Sequence, residues 1–189
     1  MAATTECAVQ APVPFRWTVE DYHRAIDADV FGDRRIELLH GELFEMPPIK
    51  LPHIGAVQYL AGLFLPRLGW RRALVQSPII LPSDGEPEPD IAVSEPGASL
   101  KPHVEQVQLV IEVSQTTRQR DLGTKREDYL RDGLRELWII DLPEQCAWVY
   151  RGGVLVARHA RGTGAQLTAD LVPEVTVDLD EVFRASEQE

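Results

Sequence analysis

The chain is poor in cysteine, in long apolar runs and in positive charge. Its two cysteines, Cys7 and Cys146, are too few and too far apart for a disulfide framework or a zinc cage, which makes a reducing cytoplasm the default expectation. No apolar run approaches the ~20 residues that a membrane helix needs, so no membrane partner is expected. Residues 1–16 lack the basic start and apolar centre of a secretory signal. With Pro12 and Pro14 they read as a loose arm ahead of one domain over residues 17–185. No repeat or linker divides the rest, and no Gly-rich phosphate loop supports a small phosphorylated substrate. Lys and Arg total 19 against 30 Asp and Glu, a formal net charge of -11. That balance cuts against a generic nucleic-acid binder, because nonspecific affinity for phosphates comes from Lys and Arg.

What is present is enough for one sizeable core: 189 residues, 44% hydrophobic and 26% charged. Thr18 and Asp21 read as an N-cap and first-turn acid, with Val19, Tyr22, Ile26 and Val30 at helical spacing up to Phe31-Gly32-Asp33. Arg35 to Met46 reads as a hairpin turning at His40-Gly41 and ended by Pro47-Pro48. A helix follows from about Pro52 to Leu68, with Ile54, Val57, Leu60, Ala61, Phe64, Leu65 and Leu68 as its apolar face. Pro66 is expected to disturb its last turn. Leu74 to Leu81 and Ile91 to Val93 read as strands around a Pro- and acid-rich turn. Val107 to Val113 is nearly uninterrupted apolar sequence, as in a strand covered on both faces. Leu122 to Asp132 reads as a helix stopped by Gly133. Leu137 to Asp141, Cys146 to Tyr150 and Val154 to His159 read as strands. The tail reads as a short strand around Val175 and Val177 and a helical turn around Val182 and Phe183. The pattern implies a single α/β domain with a mixed sheet.

Two acids fall on these apolar strands. Asp90 opens one after a proline, and Glu112 lies near the end of the most apolar one, where an ionised carboxylate is costly without positive compensation. If the strands are neighbours, both carboxylates enter one cleft. Hard divalent cations such as Mg²⁺ take one or two carboxylates plus water and phosphate oxygens. A metal there activates water and neutralises charge on a phosphate, and a nearby ammonium stabilises the developing anion. Lys125 is the only lysine C-terminal to Glu112, so that role has one lysine candidate there. Each residue also has a plain structural reading. Asp90 suits a turn acid, Glu112 a strand-end acid paired with an arginine, and Lys125 an (i, i+4) partner of Asp121. The basic residues Arg118, Arg120, Lys125, Arg126, Arg131 and Arg135 are interrupted by Asp121, Glu127, Asp128, Asp132 and Glu136, so on charge alone they read as a solvated mixed helix.

The segments Arg35-Ile36-Glu37-Leu38-Leu39-His40-Gly41-Glu42-Leu43, Pro89-Asp90-Ile91-Ala92-Val93, Val110-Ile111-Glu112-Val113-Ser114 through Asp121-Leu122-Gly123-Thr124-Lys125, and Glu136-Leu137-Trp138-Ile139-Ile140-Asp141 together resemble the Uma2 family of the PD-(D/E)XK nuclease-like superfamily. The resemblance runs over roughly residues 17 to 160. It implies a restriction-endonuclease-like core, a central mixed β-sheet flanked by α-helices. It implies a Mg²⁺ or Mn²⁺ site at Asp90 and Glu112, with Glu37 as a third acid. His53 matches a histidine often seen in such sequences, and Glu42 is a weaker candidate because it follows the turn glycine. The superfamily pattern places a lysine two residues after the second acid. Here that position is Ser114, and Lys125 on the following helix looks like the migrated replacement, with Gln115 as an accessory polar contact.

The reading that results is a metal-dependent endonuclease hydrolysing phosphodiester bonds in nucleic acid, with DNA as the expected partner. Glu37, Asp90, Glu112 and Lys125 are its catalytic candidates, and His53, Ser114 and Gln115 are accessory ones. The alternative is a noncatalytic nuclease-fold module for nucleic-acid binding or assembly, which the acidic net charge favours. The segment Cys146 to His159, with Trp148 and Tyr150 at alternating positions, suits either a homodimer contact or a cover for the domain's own core.

Overall fold

Alternating apolar positions give the central sheet two buried faces, and the site grows at one end of it. The computed structural model describes residues 13–116 and 118–188; Cys7 and residues 1–12 of the expected arm lie outside them. The chain begins with α1 (Val19–Asp27), the hairpin β1 (Ile36–Leu39) and β2 (Glu42–Glu45), and α2 (Leu51–Leu68). Strands β3 (Ala73–Val75), β4 (Ile91–Ser94) and β5 (Val107–Ser114) follow. A broken helical segment comes next: α3 (Arg118–Arg120), a π-helical turn (Asp121–Lys125) and α4 (Arg126–Arg131). Then come β6 (Glu136–Asp141), β7 (Cys146–Arg151), β8 (Val154–Ala160), β9 (Gln166–Ala169), β10 (Val172–Asp178) and α5 (Leu179–Ser186).

Strands β3 to β8 lie side by side in sequence order as one six-stranded sheet. Only β5 and β6 pair in parallel, joined by the broken helical segment as a crossover, so the sheet is mixed. This is the α/β architecture expected from the sequence. Ile91, Val93, Leu109, Ile111, Val113, Trp138 and Ile140 face α2, α5 and the β9–β10 ribbon. Ala92, Val110, Leu137 and Ile139 face the other way, onto Tyr129 and Leu134. Trp148 and Tyr150 pack on this second cluster, so these aromatics cover the domain's own core.

Local chemistry explains most element ends. Thr18 and Asp21 form a reciprocal capping box on α1. The β1–β2 turn uses His40 (φ 47°) and Gly41 (φ 71°), the positive pair that suits a two-residue hairpin. Helix α2 packs on α5 so closely that a Cβ on Gly55 would lie 2.2 Å from the Ala185 carbonyl oxygen; only glycine fits.

Four expectations differ from the structure. Helix α1 stops at Asp27, because Asp29 adopts φ 55° and turns the chain; Ile26 and Val30 are left exposed. The strand expected over Leu74 to Leu81 ends at Val75, where Gln76 takes φ 44°. Pro66 does not disturb α2, which closes with the Gly69 N–H on the Leu65 carbonyl (2.9 Å). The bond that Pro66 forgoes would have gone to the carbonyl of Gly62, an exposed residue. Finally, β9 joins β10 in a separate ribbon, and the expected helical turn is the two-turn helix α5, capped by Asp178.

Candidate active site

Register brings the two strand acids together. Ile91 pairs with Ile111 in the antiparallel β4–β5 ladder, so one step outward sets Asp90 opposite Glu112. Side chains alternate along a strand, and both acids therefore share the face that carries Ala92 and Val110. The Asp90 carboxylate is tied to β5 directly: the Val113 N–H donates to its Oδ2 at 2.8 Å. His53, in the first turn of α2, approaches the same Oδ2 through Nε2 at 3.1 Å. The Gln76 amide reaches Oδ1 at 3.4 Å. Thus Asp90 is buried and held from three sides.

Glu112 meets the helical segment. Lys125 Nζ lies 2.9 Å from its Oε1, and the Tyr129 hydroxyl donates to the same oxygen at 2.7 Å. Lys125 and Tyr129 are four residues apart and so share one helical face. The kink at Gly123, whose φ and ψ (-108°, -112°) are not helical, separates this face from the turn before it. Lys125 is 2% exposed, far from the solvent-facing partner of Asp121 that its spacing allowed.

Glu37 enters from β1. Its Oε2 lies 3.4 Å from Lys125 Nζ and 3.5 Å from an Arg120 guanidinium nitrogen. Glu42, opposite Leu39 in the hairpin register, is exposed and pairs with Arg16 at 2.8 Å. Ser114 is fully buried beside β6, with its hydroxyl making no hydrogen bond among the described residues. Gln115 is half-buried at the cleft wall. The cleft, about 530 Å³ with the open solvent at its mouth, is also lined by Arg35, Lys50, Glu88, Arg120 and the buried Asp121.

Charge in the cleft is unbalanced toward acid. Burial, against the pull of Lys125 and with the charges of Asp90, Asp121 and Glu37, raises the Glu112 carboxyl to about 8. Burial works against the Lys125 ammonium, yet Glu112, Glu37 and Asp121 outweigh it and hold this lysine above its ordinary value, so it stays charged. Tyr129 is raised well above its ordinary value by burial and by Glu112, and remains a hydrogen-bond donor. Among the described residues, no three His, Cys, Asp or Glu side chains are grouped closely enough to hold a metal ion. Asp90 and Glu112 nevertheless offer the hard-oxygen pair that Mg²⁺ or Mn²⁺ uses when water and substrate oxygens complete the shell. A carboxyl raised by burial and by surrounding acids is also one that a divalent cation returns to its ionised form. The residues fit such an ion through two carboxylates.

Among the expected residues, Glu37, Asp90, Glu112, Lys125 and His53 line one cleft together with Gln115. Arg120, Tyr129 and Gln76 were not singled out from the sequence. Tyr129 carries the only advance signal, lying four residues after Lys125 on one helical face.

Fold and site define a nuclease-like protein: a mixed sheet with acids at adjacent strand ends and a lysine brought to them by the crossover helix. The sequence profile of Uma2, described as "Putative restriction endonuclease", matches residues 19–180, and the chain belongs to that family. Among solved structures, a "putative nuclease belonging to DUF820 from Anabaena variabilis ATCC 29413" superimposes with a TM-score of 0.66 at 16% identity. The match covers 82% of this chain and 92% of that one, and shows the shared fold. No curated protein matches the sequence. Among the described residues, no helix is long and apolar enough to cross a membrane.

Proposed function

We propose that the chain is a Mg²⁺- or Mn²⁺-dependent endonuclease acting on DNA. The observation that carries this reading is the convergence of Asp90, Glu112 and Lys125 from two strands and a helix into one cleft. Asp90 and Glu112 would hold the ion, which when bound would supply a water of lowered pKa and neutralise charge on the scissile phosphate. His53 and the Val113 N–H fix the orientation of Asp90, and Tyr129 fixes that of Glu112. Lys125, held charged by its acidic surroundings, stabilises the negative charge that builds on the phosphate oxygens as water adds and the P–O ester bond breaks. Glu37, already engaged by two cations, serves to hold those cations in the free protein.

A second reading, a noncatalytic nucleic-acid-binding module, draws support from the net charge of -11 and from Lys125 being tied between Glu112 and Glu37. Cleavage of supercoiled plasmid with Mn²⁺ or Mg²⁺ separates the two. Nicking by the native protein that disappears with chelator, in Asp90→Ala and in Lys125→Ala supports the enzyme. Absence of nicking, or equal nicking by all three proteins, favours the module.

A further inference from the structure

Arg120 is a cation only loosely paired among the described residues. Its guanidinium reaches Glu37 at only 3.5 Å, and its Nε is buried with no hydrogen bond among the described residues. A buried N–H left unpaired costs free energy, so its persistence calls for an acceptor. The guanidinium lies 5.9 Å over the Phe44 ring. Phe44 is the cross-strand partner of Glu37 in the β1–β2 hairpin, so a single pair of hairpin residues holds Arg120, by ring and by carboxylate. Arg120 and Lys125 both line the cleft and both face the same oxygen, Glu37 Oε2.

One carboxylate oxygen between a guanidinium and an ammonium has the surroundings of a phosphate oxygen. We propose that Arg120 and Lys125 form the phosphate seat of the cleft, and that the Glu37 carboxylate holds that seat until the substrate backbone displaces it. The proposal rests on the nuclease reading and adds to it the group that grips the substrate. Its chemistry is that of charge-assisted hydrogen bonding: a planar guanidinium offers two parallel N–H groups to two oxygens of one phosphate, a geometry that a single carboxylate oxygen leaves half used. The hairpin carrying Glu37 is a two-stranded sheet separate from the six-stranded one, so the carboxylate can withdraw without breaking the ladder that holds Asp90 and Glu112. Glu37 therefore competes with DNA, which gives its removal a sign opposite to that of a metal ligand.

The test measures binding of a short DNA duplex in Ca²⁺, Mn²⁺ binding by calorimetry, and plasmid cleavage in Mn²⁺, for the native protein, Glu37→Gln, Arg120→Ala and Arg120→Lys. Thermal melts verify folding, and Glu37→Gln keeps an acceptor where the carboxylate stood. The expected result is tighter DNA binding by Glu37→Gln and weaker binding by Arg120→Ala, with partial recovery in Arg120→Lys. Arg120→Ala also flattens the slope of log affinity against log salt by about one. Mn²⁺ affinity stays unchanged in all three. Weaker Mn²⁺ binding by Glu37→Gln, or DNA binding by Arg120→Ala equal to the native protein, overturns the seat. Native cleavage with unchanged DNA binding in every variant removes the seat and leaves the nuclease reading standing. The expected binding pattern without any cleavage keeps the seat and removes hydrolysis.

Discussion

Lys125 Nζ reaches Glu112 Oε1 at 2.9 Å from the crossover helix, while the strand position two residues beyond Glu112 is Ser114. The cation is thus delivered across a packing interface, and its stability depends on the acids it meets there. Removing it leaves Glu112 buried against Asp90 and Asp121 without compensation. Lys125→Met should destabilise the fold by about 3 kcal/mol, the usual cost of breaking a buried pair from one side. Urea unfolding would measure it. The double variant with Glu112→Gln should recover much of the loss, whereas strictly additive losses would mean that the pair is not coupled.

Stability of the metal-free protein should fall with rising pH. Glu112 is raised from its ordinary 4.5 to about 8. Between those values the folded state binds more protons than the unfolded one, so stability declines as pH rises through that window. Lys125 works in the same sense, only at much higher pH: its stabilising charge is fully present below its ordinary 10.5 and is lost as pH rises through its raised value. Melting temperatures from pH 5 to 8 should decline in the native protein and stay flatter in Glu112→Gln. Because proton and metal compete for this carboxylate, apparent Mn²⁺ affinity should rise across the same window.

His53 touches Asp90 and not the cleft's cations, so its effect should appear in metal affinity. His53→Ala should weaken Mn²⁺ binding by about tenfold, as loss of an orienting partner usually does. Asp90→Asn should weaken it far more. Calorimetric affinities equal to the native value in both would remove Asp90 from the metal seat.

Two glycines of α2 should respond with opposite signs. Gly55→Ala forces a Cβ to within 2.2 Å of the Ala185 carbonyl, so α5 must move; the cost should be at least about 2 kcal/mol. Gly62 has open space around its Cβ position, and Gly62→Ala should stabilise the helix by up to about 1 kcal/mol. Thermal melts of the two variants check both.

How far the sequence could be read depended on how local the cause was. The hairpin was visible because His40-Gly41 carries its own turn chemistry, and β5 because an apolar run of that length belongs between two covered faces. The end of α1 was hidden because Asp29 takes a positive φ that its identity merely permits, while Val30 kept the helical spacing. The strand after Leu74 was overextended because Ile79 and Leu81 are buried yet leave the ladder after Gln76. For the site, Asp90, Glu112 and Lys125 stood out as charges in or near apolar sequence. Arg120 did not, because it sits in a run of alternating charges whose sorting into buried and solvated members is decided by the hairpin, which approaches from about eighty residues earlier in the chain.

The strand acids of the cleft and the groups that meet them belong to pieces held by different bonds. Asp90 and Glu112 flank or sit within the six-stranded ladder, whereas Lys125 and Tyr129 ride on a segment interrupted at Gly123 and Glu37 rides on a hairpin outside that ladder, tied to it through the loop at Glu86. Amide hydrogen exchange should separate them: slow for β4 to β6, faster for the π-helical turn and for β1–β2. With that pattern the strand acids Asp90 and Glu112 outlast fluctuations that carry off Lys125 and Glu37, and the working arrangement is a quorum gathered from separate pieces rather than a fixture of the sheet.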